Sequence, residues 1–212
     1  MQSYKIHFSD KDFIFSFLSG LLLLGISLVT QFFVSDYVTS AMSQPVTDII
    51  LSNTRVYEVG GIFVWGAILL VCIITSVILS RLNYAPFVLK SVALFTLIRS
   101  IFVSLTHISP FPTQAVIDSA FFSKEVFNGI FTGNDLFFSG HTGIPFLLAL
   151  IFWEHKNLRI VFLSFSILFG VVVLLGHLHY SIDVLSAFFI TFSIFHICKI
   201  LFKKDWQLFL KK

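Results

Sequence analysis

The chain is 212 residues long, 57% hydrophobic and only 12% charged, with a formal net charge of +3 and a mean hydropathy of +0.94. This composition excludes an ordinary soluble domain and fits an all-α, polytopic membrane protein. The basic residues gather at the ends of apolar stretches and form no nucleic-acid-binding patch, so no nucleic-acid partner is expected.

A membrane-crossing helix needs about 20 apolar residues. In chain order, six stretches meet or approach that length: about 13–34, 59–79, 85–107, 138–153, 159–177 and 182–202. They predict one integral membrane domain over 1–212, a bundle of six transmembrane helices. The first is longer than the apolar core of a signal peptide and is kept as a helix. The fourth is the shortest and starts on polar residues. The fifth and sixth are joined so tightly that they must be antiparallel neighbours. Cys72 and Cys198 each lie inside an apolar stretch with no C-x-x-C partner. No disulfide framework is expected, and both are read as buried packing residues.

Lys and Arg set the orientation. With the N-terminus inside, the inner segments carry Lys5, Lys11, Arg81, Lys156, Arg159, Lys199, Lys203, Lys204, Lys211 and Lys212, while the outer loops carry Arg55 and Lys124. The positive-inside rule then puts both termini in the cytoplasm. Two long outer loops, 35–58 and 108–137, have the length of lids, binding elements or interfacial helices.

This topology gathers the unusual polar residues at one depth. Phe138-Ser139-Gly140-His141-Thr142 opens the fourth segment, Gly176-His177-Leu178-His179-Tyr180-Ser181-Ile182-Asp183-Val184 spans the last hairpin, and Arg99 lies in the outer half of the third. Residues at i and i+4 share a helix face, so Asp183 can orient and charge-stabilise His179. Ser139-Gly140 at a helix mouth offers close backbone approach to an anion, although Ser139 fits an ordinary cap equally well. Arg99 costs about 2.5–3.5 kcal/mol near a bilayer centre and needs a partner or ligand. His177 fits either a hydrogen bond within the site or structural support, and Lys90, near the inner end of its helix, is expected to snorkel. The chemistry indicated is phosphoryl transfer at a membrane surface. A proton relay, or a three-His metal site at His141, His177 and His179, explains neither the Ser-Gly-His motif nor Arg99.

Phe137-Phe138-Ser139-Gly140-His141-Thr142 and His177-Leu178-His179-Tyr180-Ser181-Ile182-Asp183-Val184 resemble the sphingomyelin synthase-like branch of the lipid phosphate phosphatase (phosphatidic acid phosphatase type 2) superfamily. Gly133-Asn134-Asp135 is similar to that branch's Cys-Gly-Asp lead-in. Arg99-Ser100-Ile101-Phe102 with Ile108-Ser109-Pro110-Phe111-Pro112 resembles its Arg segment ending in Leu-Pro-x-Pro, and Pro45-Val46-Thr47-Asp48 is faintly similar to its Pro-Leu-Pro-Asp element. The resemblance covers about residues 95–200. It departs from the wider superfamily in two ways: Lys90 is wrongly spaced from Arg99, and Val172-Val173 stand where Ser-Arg is usual.

The resemblance implies that His179 is the nucleophile, held by Asp183, with His141 protonating the departing diacylglycerol. Arg99, Ser139 and the backbone near Gly140 would bind the phosphate, with possible support from His177, Tyr180 and Asp135. It requires no metal and no cofactor. The partners are a phospholipid donor and a lipid acceptor such as ceramide, reacting on the outer leaflet through phosphohistidine; a phosphatase or phospholipase C-like hydrolase is the alternative, with water as acceptor. A compact chain without a soluble appendage points to a bacterial inner membrane with the site facing the periplasm or outer leaflet, or to Golgi or plasma membrane in a eukaryote.

Overall fold

The structure, a computed structural model, describes residues 10–117 and 136–211. The described residues are helical, without strands. Helix α1 spans Lys11–Ser40, α2 Gly60–Ser80, α3 Ala85–Leu105, α4 Gly140–Ile151, α5 Lys156–Leu175, α6 Ser181–Leu201 and α7 Lys203–Leu210. Five of them, α1, α2, α5, α6 and α3 with the turn before it, are long and apolar enough to cross a membrane, as an integral membrane protein requires.

All six predicted segments are present as helices, with two differences of consequence. Helix α4 has 12 residues, a rise of about 18 Å and well short of a bilayer's roughly 30 Å core. Helix α1 runs on to Ser40, because Ser35, Asp36 and Ser40 near its end are tolerated where the helix leaves the apolar zone. Each start has a local cause. The Asp10 side chain accepts the Asp12 and Phe13 N–H groups at the start of α1, satisfying donors that no helical carbonyl reaches. Pro86 sits in the first turn of α3, where its missing N–H costs nothing.

Helices α3, α4, α5 and α6 form the core, where Phe87, Phe95, Phe138, Leu147, Phe162 and Phe169 are fully enclosed. Close contacts set the spacing. A Cβ on Gly143 of α4 would lie 2.6 Å from the Phe95 ring of α3 and 2.9 Å from Thr191 Oγ1 of α6, so only glycine fits this crossing. Outward-facing Leu22, Ile62, Phe189 and Ile200 are more than half exposed, which suits acyl chains as solvent. Cys72 is exposed and only Cys198 is buried; the burial expected of both cysteines holds for one, because α2 turns much of its surface outward.

Lys90 does not snorkel. Its Nζ lies 2.7 Å from Asp205 Oδ2 and 2.8 Å from Ser16 Oγ, and Ser16 Oγ donates to the other Asp205 oxygen. This buried cluster ties α1, α3 and α7 together. Helix α7, absent from the sequence reading, stacks Trp206 on Phe209 and packs both against Phe87. Asp205→Ala leaves Lys90 buried without its counter-charge and is expected to cost about 3–5 kcal/mol. Adding Lys90→Met should recover most of that loss in thermal unfolding in detergent. A double variant no more stable than the single one would show that the ion pair does not dock α7.

Candidate active site

The α5–α6 turn builds the first half of the site. The Leu178 N–H donates to Val173 O at 2.8 Å and the His177 N–H to Leu174 O at 3.1 Å, the two bonds of a Schellman cap, with Leu178 and Val173 in one apolar cluster. The left-handed position of this cap, normally glycine, is His177 with φ 52°, the one non-glycine residue of positive φ among the described residues. The ring is buried: Thr113 Oγ1 lies 2.6 Å from Nδ1 and Phe111 stacks edge-on, while Nε2 has no hydrogen-bond partner.

Past this turn the chain enters α6. His179 Nδ1 lies 3.1 Å from Asp183 Oδ2, and both residues are buried. The same oxygen accepts the Tyr180 N–H at 3.2 Å. The carboxylate therefore caps its own helix and holds the imidazole at once. Because a carboxylate accepts, the proton belongs on Nδ1 and the lone pair on Nε2.

The second half is the mouth of α4. Ser139 Oγ accepts the Thr142 N–H at 3.3 Å, an ordinary N-cap. The Ser139 N–H donates to Asp183 O at 3.0 Å, so the starts of α4 and α6 are joined backbone to backbone. Arg99, 7% exposed, donates from Nε to Phe138 O at 3.0 Å, and its Nε would be 3.4 Å from a Cβ on Gly140. The glycine thus lets the guanidinium lie against the helix mouth. His141 packs on Phe63 and Phe169, with ring centroids 4.1 and 5.7 Å away. Arg99, Ser139, Gly140, His179, Tyr180 and Asp183 are brought together by these bonds, and His141 stands two residues beyond the Ser139–Asp183 link. Asp135, with the Gly133-Asn134-Asp135 lead-in, lies outside the described residues. Among the described residues no three His, Cys, Asp or Glu side chains are grouped as metal ligands.

Two loops clamp this site from outside. The Tyr180 hydroxyl donates to Ser109 O at 2.8 Å and accepts from the Val46 N–H at 3.2 Å. Asp48 Oδ2 accepts the Ser181 N–H and Oγ–H at 2.7 and 2.8 Å, while Oδ1 accepts the Ile50 and Leu51 N–H groups. Asp48 and Thr113 are site-supporting residues that sequence reasoning did not assign. The one signal for Asp48 was the faint Pro45-Val46-Thr47-Asp48 similarity.

Val172 and Val173 are buried against Val59, Phe63 and Leu178, so the place of the usual Ser-Arg is apolar packing. Residues 132–200 match the family model of the PAP2 superfamily C-terminal domain, which supports membership of the PAP2, or lipid phosphatase, superfamily. That domain implies phosphatase- or phosphotransferase-type chemistry on lipid head groups. Comparison with curated proteins and with solved structures gave no match.

Burial pushes the Asp48 carboxyl up, but the hydrogen bonds from Ser181, Leu51 and Ile50 outweigh it and hold the group below its ordinary 3.8. A lowered folded value stabilises the protein above the unfolded carboxyl pKa, and that contribution is lost as pH falls through the folded one. Asp48→Asn is therefore expected to lower the thermal midpoint at pH 7, with the gap to wild type closing at acid pH. A gap that stays constant down to pH 3 would contradict the clamp's dependence on charge.

Proposed function

We propose that the protein is a membrane lipid head-group phosphotransferase that works through phosphohistidine, moving a phospho-head-group from a phospholipid to a lipid alcohol such as ceramide. The observation that carries this reading is the buried His179–Asp183 pair joined to the mouth of α4, where Arg99 lies. His179 Nε2 attacks phosphorus, the bond to the glycerol oxygen breaks, and His141 gives that oxygen its proton. The acceptor hydroxyl then attacks phosphorus while His141 takes its proton, and the bond to His179 breaks. Arg99 and N–H groups at the start of α4 face the charge that spreads over the non-bridging oxygens. In this reading α4 completes a six-helix bundle with both termini in the cytoplasm, and the site opens to the outer leaflet. The Lys and Arg distribution supports that orientation.

Replacing His179 with Ala is expected to abolish turnover. His141→Ala should slow reaction of a phospholipid by about 10²–10⁴-fold, the range for a lost general acid. The same variant should still form phosphoenzyme from a donor with a good leaving group. Near-normal activity of His179→Ala would refute the nucleophile assignment.

The apolar packing of Val172 and Val173 bears on the donor. A phosphate monoester carries close to two charges near neutral pH, since its second pKa is about 6, whereas a phosphodiester carries one. A site without the usual second arginine suits the diester. Phosphatidylcholine or phosphatidylethanolamine should be consumed faster than phosphatidic acid without added metal, and mass spectrometry should find the head group on added ceramide. The hydrolase alternative, favoured by the PAP2 match itself, predicts phosphatidic acid as the better substrate and no transferred product.

A further inference from the structure

At the end of the bundle away from His179 lies a cavity of about 820 Å³ between the start of α3, the end of α4, α6 and α7. Its volume falls within the roughly 300–1,000 Å³ of small-ligand sites. Tyr84, Phe195, Trp206 and Phe209 supply an aromatic wall, and Arg81, Lys199 and Lys211 supply positive charge. Among the described residues Glu154 is the one carboxylate on its lining.

Arg81 and Lys199 are held by aromatic side chains instead of by carboxylates, and Lys211 is exposed at the rim. Lys199 Nζ stands 5.3 Å from the ring centroids of both Phe195 and Trp206. Arg81 lies 6.0 Å from the Tyr84 centroid and donates to its hydroxyl at 3.3 Å. Asn83 donates to Lys211 O at 3.0 Å and to Leu208 O at 3.3 Å, fixing the end of α7 beside Arg81. Lys90 shows the contrast: it lies near the same end and is neutralised by Asp205. Among the described residues Arg81, Lys199 and Lys211 have no carboxylate within ion-pair distance. An aromatic wall with three unpaired cations against one carboxylate suits an anion that carries an apolar body.

The geometry points to a second lipid site: the cavity binds an acidic phospholipid of the leaflet opposite the catalytic residues, its phosphodiester among Arg81, Lys199 and Lys211 and its glycerol and upper acyl chain along Trp206 and Phe209. A zwitterionic lipid would bring an ammonium group into an already positive site. Basic residues at a membrane surface contribute about 1 kcal/mol each toward an anionic lipid, about fivefold in affinity. This assignment does not depend on the reaction proposed above, because it uses none of that site's residues and its test needs no turnover.

Of Trp65, Trp153 and Trp206, the last two line the cavity, so Trp65→Phe leaves tryptophan fluorescence as a reporter of its occupant. This protein is reconstituted in phosphatidylcholine vesicles containing a few mole per cent of either brominated phosphatidylglycerol or brominated phosphatidylcholine. The expected result is stronger quenching by the acidic lipid at equal mole fraction. Lys199→Gln should weaken the excess by about fivefold, and Lys199→Arg, which keeps the charge and the ring contact, should retain it. Millimolar inorganic phosphate should not displace the lipid. Equal quenching by the two lipids overturns the proposal, as does an excess that survives in Lys199→Gln combined with Lys211→Gln. Displacement by inorganic phosphate overturns the lipid as occupant.

Discussion

Asp183 is bonded in three directions. One carboxylate oxygen holds the His179 imidazole and caps the first turn of α6, and the backbone carbonyl receives the Ser139 N–H at the start of α4. In a bilayer an unsatisfied donor costs several kcal/mol, so helix starts must find partners inside the protein. Two helix starts find them in the same residue. The mouth of α4 is thereby fixed beside the imidazole, and Arg99, bound to Phe138 O just before it, inherits that position. Loss of the Asp183 side chain would disturb the imidazole's tautomer and the cap of α6 together, while the backbone bond to Ser139 would remain.

The loops before α2 and after α3 use the same economy of partners. Asp48 satisfies the first N–H of α6 and two N–H groups of its own turn, placing negative charge where the helix dipole favours it. Tyr180 fastens both loops through one hydroxyl. His177 couples the loop around Thr113 to the α5–α6 turn, while occupying a backbone conformation that glycine would adopt at lower cost. A buried histidine kept where glycine is cheaper marks a side chain with a use, and its Thr113 bond is the visible part of that use.

The apolar segments were legible because crossing a bilayer imposes a length and composition that few other structures share. The His179–Asp183 pair was legible for a similar reason: i,i+4 spacing on a helix is local geometry. Asp48 was marked only by the faint Pro45-Val46-Thr47-Asp48 similarity and Thr113 by nothing nearby, since their partners Ser181 and His177 are far away in sequence. Helix α7 was hidden by Lys203, Lys204 and Asp205, whose charges break the apolar pattern after α6. Its docking rests on Lys90, more than a hundred residues earlier, and Lys90 in turn looked like a snorkelling end residue. Gly176 takes an ordinary right-handed conformation with φ −86°, and the left-handed residue of the α5 cap is His177, one position later. The Cys72 expectation failed because an apolar stretch does not reveal which of its sides faces the protein.

The brevity of α4 sets a depth. At its far end, Phe152 and His155 pack on Tyr84, which precedes α3, so the two helices share a level there, near Trp153 and Trp206; in the proposed topology that level is a membrane interface, where tryptophans gather. From that level α4 rises about 18 Å and α3 reaches Arg99 after about 21 Å. A hydrocarbon layer of about 30 Å then extends roughly 10 Å beyond the guanidinium. Under the proposed function the site is a well sunk below the plane of the lipid head groups, with the loops clamped by Tyr180 and Asp48 as its wall. A phospholipid reaching it must dip toward the protein, or the bilayer must thin around α4. For the proposed transfer, such a well screens charges weakly and gives a lipid hydroxyl arriving from the side a shorter path than water descending from above.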